Sequence, residues 1–66
     1  MIDIIALRGE ILRAGLHQTD VARALNMNPK TFYAKMKRGV FGSDEIQGMV
    51  DLLKLKNPAR IFFVNW

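Results

Sequence analysis

The chain has 66 residues, no cysteine and a formal net charge of +4, and half of its residues are hydrophobic. A chain this short supports one small core and no more. Without cysteine, neither disulfides nor thiolate metal sites can brace it, which fits a reducing compartment. No apolar run approaches the roughly 18 residues needed to cross a bilayer. The opening segment Met1–Leu7 carries Asp3 and lacks a basic leader, so a signal peptide is not expected. The expectation is a single soluble, cytoplasmic domain over 1–66.

The charge is unevenly placed. In residues 1–28, Arg8, Arg13 and Arg23 balance Asp3, Glu10 and Asp20; in 43–66, Lys54, Lys56 and Arg60 balance Asp44, Glu45 and Asp51. The excess therefore lies in 29–42, where Lys30, Lys35, Lys37 and Arg38 stand without an acid. A basic helix C-terminus complements the helix dipole, which accounts for Lys37 and Arg38. Lys30 lies near the opposite end of the same predicted helix, where a polyanionic partner explains it better.

Helical spacing runs through the sequence, and strand-like alternation is absent until the last six residues. A first helix is predicted from about Asp3 to Ala14, with Ile4, Leu7, Ile11 and Ala14 inward, Ile5 and Leu12 widening the stripe, and Gly15 as the stop. Arg8 falls inside that arc, so its stem is expected to pack on the core while its head finds a carboxylate. A second helix covers about Gln18 to Leu25, with His17 as an imperfect N-cap, Asp20 in the first turn, and Val21, Ala22 and Leu25 inward. Asn26 suits a left-handed turn position, and Met27 is expected as a buried plug. The third helix opens on Asn28 as N-cap with Pro29 at the first helical position, buries Phe32 and Met36, and ends at Gly39.

Val40 and Phe41 are expected to dock on the core. Ser43 is the expected cap of a fourth helix, with Asp44 and Glu45 in its first turn and Ile46, Met49, Val50 and Leu53 inward. Asn57-Pro58 repeats the start signal of the third helix and predicts a short fifth. The fold class is thus all-α: a compact bundle of four to five short helices.

Two short helices joined by a three-residue turn, over about 18–38, form the joint of a helix-turn-helix, whose second helix enters the major groove of DNA. The small Ala22 permits the close approach that such a joint needs. The run Leu16-His17-Gln18-Thr19-Asp20-Val21-Ala22-Arg23-Ala24-Leu25-Asn26-Met27-Asn28-Pro29-Lys30-Thr31-Phe32 resembles the helix-turn-helix of lambda-repressor-like and Cro-like transcriptional regulators. Val40-Phe41-Gly42-Ser43-Asp44-Glu45-Ile46 is similar to the loop and fourth helix of small Cro-like proteins from phages and prophages of Gram-positive bacteria.

The resemblance implies a sequence-specific repressor acting on double-stranded DNA as a homodimer, without cofactor or small-molecule ligand. It places Pro29, Lys30, Thr31 and Ala34 at base-contacting positions, with Tyr33 beside them, and Gln18 and Asn28 against the DNA backbone. Lysine can bond guanine O6 and N7, and alanine can meet a thymine methyl; Lys35, Lys37 and Arg38 are expected on phosphates. Three departures from the family pattern stand out. Asn26 replaces the usual turn glycine. Lys35 holds a position that is normally apolar, so either Met36 turns inward or the helix rotates slightly. Ile11 and Met36 stand where many relatives pair an arginine with a glutamate, and a hydrophobic contact between them is expected instead.

The remaining chemistry-bearing residues have plainer readings. His17 has no cysteine or acidic cluster beside it and reads as a helix-start residue rather than a metal ligand. Met1, Met27, Met36 and Met49 read as core filler. Asp44-Glu45 complements a helix dipole, and Thr19 and Ser43 lack the basic partner a nucleophile needs. Enzymatic function is not expected. An alternative on the same fold is a protein-interaction modulator, or antirepressor, that docks on a partner repressor. The tail over 58–66 is too apolar for one helix face: part of Ile61, Phe62, Phe63, Val64 and Trp66 is expected to close the core under the first helix. The rest is a candidate dimer contact, with strand exchange at Phe62–Val64 as one form.

Overall fold

A computed structural model of the protein describes residues 2–63. Five helices follow one another: α1 (Ile4–Arg13), α2 (Gln18–Ala24), α3 (Pro29–Arg38), α4 (Ser43–Leu53) and α5 (Pro58–Phe62). The described residues contain no strand, so the all-α expectation holds. None of these helices is long and apolar enough to cross a membrane.

The helix starts follow from local chemistry. Asp3 caps α1, its Oδ1 accepting the Ala6 N–H at 3.0 Å. At α2, Asp20 reaches back so that its carboxylate accepts the His17 N–H at 2.8 Å. At α3, Asn28 Oδ1 accepts the Lys30 N–H at 2.8 Å, and Pro29 occupies the first turn, where no amide partner is lost. The cap of α4 is Gly42 rather than the expected Ser43. Glu45, the third residue of the helix, accepts the Gly42 N–H at 2.7 Å, which is the half of a capping box that needs no side chain at the cap.

Four helices end alike. A left-handed residue stands at Gly15 (φ 76°), Asn26 (59°), Gly39 (72°) and Lys54 (52°). The next residue donates its N–H back across the last turn: Leu16 to Ile11, Met27 to Ala22, Val40 to Lys35, and Leu55 to Val50. This is the Schellman arrangement, in which the donor's side chain meets the residue that accepts. Leu16, Met27 and Leu55 find apolar surface and pack on the core. Val40 donates to Lys35, which offers no apolar side chain, and stays 57% exposed; of the expected Val40-Phe41 pair only Phe41 docks. Met27 is half-buried rather than a full plug.

One cluster of buried side chains joins all five helices: Leu7 and Ile11 of α1, Val21 and Ala22 of α2, Phe32 and Met36 of α3, Met49 and Leu53 of α4, Ile61 and Phe62 of α5, and Phe41 from the α3–α4 loop. Phe32 and Phe41 stack at a tilt, with ring centroids 5.4 Å apart. The most extensive helix pairing is α2 with α3. Against α4, α2 packs so closely that a β-carbon on Gly48 would overlap Leu25 Cδ2. The Asp3 N–H donates to the Ile61 carbonyl at 2.7 Å and ties the two ends of the described chain together.

Helix α1 departs from expectation on its outer side. Ile5 is 83% and Leu12 72% exposed. They lie two turns apart on one line, opposite the Leu7–Ile11 side, and a helix can bury only one stripe against a single core. Arg8 is also exposed, and among the described residues no carboxylate pairs with it; the expected core-packed, ion-paired arginine is not found.

Candidate nucleic-acid interface

Helix α3 is fixed by Phe32 and Met36, which turn to the core and are 0% and 5% exposed. At about 3.6 residues per turn, this leaves Lys30, Ala34 and Lys37 in line on the outer face. Tyr33 flanks that line on the α1 side, and Thr31 and Arg38 flank it on the other. All six are exposed, as are Asn28 and Pro29 at the helix start. Met36 turns inward as expected, and it shares the buried cluster with Ile11, the partner expected for it.

Lys35 has a different place. Its Nζ lies 2.6 Å from Glu45 Oε2 on α4, and both side chains are half-buried. The lysine ammonium, followed by the Gly42 amide, holds the Glu45 carboxyl below the usual carboxylate range; burial opposes this only in part. Lys35 thus ties α3 to α4, and in this fold its charge is paired with Glu45. The polar residue at this apolar position is accommodated by pairing. Lys30, Lys37 and Arg38 have no ion-pair partner among the described residues, so three of the four expected cations face outward unneutralised.

Gln18, at the first position of α2, is half-buried and lines a hollow of about 400 Å³ with Ile4, Arg8, Tyr33, Met36 and Lys37. The fold brings it to the flank of α3, next to the outer face. Arg8 is the residue that sequence reasoning missed here. Its position within an apolar arc suggested a structural stem, and only the packing of α1 against the α2–α3 pair brings it to this edge.

The tail residues divide. Ile61 and Phe62 are buried and belong to the core, as the structural part of the expectation had it. In the single chain Phe62 is the last residue of α5 rather than part of a strand. Phe63 is exposed and lines an apolar hollow of about 480 Å³ with Phe41, Ile46, Val50 and Pro58. Val64 and Trp66, and likewise Met1, lie outside the described residues. Among the described residues no group of three or more histidines or acids is placed to hold a metal ion.

Comparison with protein families, with curated proteins and with solved structures found no match for this chain.

Proposed function

We propose that the protein is a sequence-specific double-stranded DNA-binding transcriptional regulator, working as a Cro-like repressor of phage or prophage type. One observation carries this reading: the outer face of α3 presents Lys30, Lys37 and Arg38 without an acid, on a helix clamped to α2 across a short left-handed turn. Such a helix fits the major groove, with its N-terminal residues at the base edges and its cations beside the phosphates. Lys30 and Thr31 carry most of the polar readout, since Pro29 and Ala34 have no side-chain donor; Tyr33 adds a hydroxyl on the flank. The action is occupancy: two copies cover half-sites about 10 base pairs apart and exclude competitors. The apolar hollow around Phe41, Ile46, Val50 and Phe63 supports a homodimer, because a second copy would remove that surface from water.

The test is a mobility-shift titration over salt concentration, using random duplex and duplex selected for binding. Tighter binding to the selected pool, with a steep salt slope on both, is the expected result. Sedimentation of the selected complex as one chain per duplex would sink the dimer.

A second reading has its own support. Ile5 and Leu12 are two large aliphatics exposed on one line of α1, two turns apart, which favours a modulator that docks on another protein. Loss of a partner's co-purification on I5S/L12S, with duplex binding absent in the parent, would select that reading.

A further inference from the structure

The hollow between α1, α2 and α3 has a composition that the core does not require. Arg8, Gln18, Tyr33 and Lys37 line it over an apolar floor of Ile4 and Met36, and no carboxylate does. Two cations that open onto one hollow repel each other, and the arrangement is relieved when an anion sits between them. The available groups are all donors in that situation: a guanidinium fork, an ammonium, an amide and a phenol. Arginine in particular matches the paired oxygens of a phosphate with two parallel bonds. The hollow also continues the outer face of α3, because Lys37 belongs to both.

We infer that this hollow seats a phosphodiester of the DNA backbone, with Arg8 of α1 as a principal contact alongside Gln18 and Lys37. This rests on the DNA-binding reading and adds to it a residue outside the helix-turn-helix, on the flank of the recognition helix opposite the Lys35–Glu45 pair. Arg8 positions the helix on the duplex and carries no base information.

The experiment compares R8A, R8K and R13A with the parent chain on a random duplex about two helical turns long, by fluorescence anisotropy over a range of salt. R8A and R13A remove the same charge from the same helix. Arg13, however, pairs with Glu10 and does not line the hollow. The expected result is a roughly tenfold weaker low-salt affinity for R8A. Its log–log salt slope should be shallower by about 0.9, R8K should recover part of the loss, and R13A should stay near the parent. Unchanged melting of R8A confirms that the fold is intact, as expected for an exposed side chain. Equal losses in R8A and R13A would mean that only total charge matters, and would overturn the assignment. So would unchanged duplex binding by R8A, the result expected of a seat for free phosphate alone, and it would leave the DNA reading standing. A parent chain that fails to bind duplex at low salt overturns both.

Discussion

The Lys35 ammonium sits 2.6 Å from the Glu45 carboxylate, ten positions along the chain and on the neighbouring helix. Glu45 also accepts the Gly42 amide, so one side chain caps its own helix and holds the adjacent one. The orientation of α3, and with it the direction in which Lys30 and Lys37 point, depends on this carboxylate as well as on the core.

Charge removal at Glu45 has a signed pH dependence. Its folded-state pKa is lowered, so its stabilisation is complete above the unfolded value of about 4.3 and is lost as pH falls through the lower folded value. At neutral pH, Glu45→Gln keeps an acceptor for Gly42 and is expected to cost about 0.5–1 kcal/mol. Glu45→Ala also loses the helix-start bond and costs more. Urea melts from pH 7 downward check this: the gap between parent and E45Q must close in acid, and a constant gap contradicts the ion-pair account.

Two glycines respond oppositely to the same substitution. A β-carbon at Gly9, within α1, meets nothing within 4 Å, so Gly9→Ala is expected to stabilise by about 0.5–1 kcal/mol through backbone entropy and helix propensity. Gly39 has φ 72° and ends α3. There Gly39→Ala has room but the wrong conformation, and is expected to destabilise by about 1 kcal/mol. Thermal melts should move several degrees in opposite directions.

The aromatic pair tests the core. Phe32 is 0% exposed, and Phe32→Ala is expected to cost about 3–5 kcal/mol. That is most of what a chain this size has to lose, so the variant should be largely unfolded at room temperature. The milder Phe32→Leu and Phe41→Leu, combined in a double-mutant cycle by urea denaturation, should show a coupling of about 0.5–1.5 kcal/mol. Additive costs would contradict a ring–ring contribution.

On the proposed DNA-binding function, the outer face of α3 divides into two expected roles. Lys30→Ala should relax base preference, because its side chain lies at the helix start where base edges are reached. Lys37→Ala should weaken binding to all sequences alike and make the salt slope shallower by about 0.9. Binding assays on selected and random duplexes separate the two, and equal effects would contradict the division.

Most helix boundaries were legible from the sequence because their causes are local; the cap of α4 at Gly42 and its left-handed end at Lys54 were not. Asn28-Pro29 and Asn57-Pro58 start helices, while Gly15, Gly39 and Asn26 take the left-handed turn that ends them. The inward faces of α2 and α3 were legible for the same reason, since Val21, Ala22, Phe32 and Met36 each repeat at helical spacing. What could not be read depends on which element meets which. Helix α1 carries more aliphatic residues than one core face accepts, and nothing local shows that Ile5 and Leu12 are the ones left out. The Lys35–Glu45 pair joins separate helices, so charge counting along the chain did not reveal it. Arg8 reaches the candidate interface only through tertiary packing.

The bond from the Asp3 amide to the Ile61 carbonyl has a consequence for kinetics. The most extensive pairing, α2 with α3, joins helices next to each other in the chain, and such contacts form early at small cost in chain entropy. The Asp3–Ile61 bond spans almost the whole described chain and secures α5, whose five residues are too few to hold a helix alone. The Asp3 amide is therefore a reporter in hydrogen exchange: its deuteration rate measures how often the α1–α5 closure opens, whether by fraying of either end or by opening of the whole core.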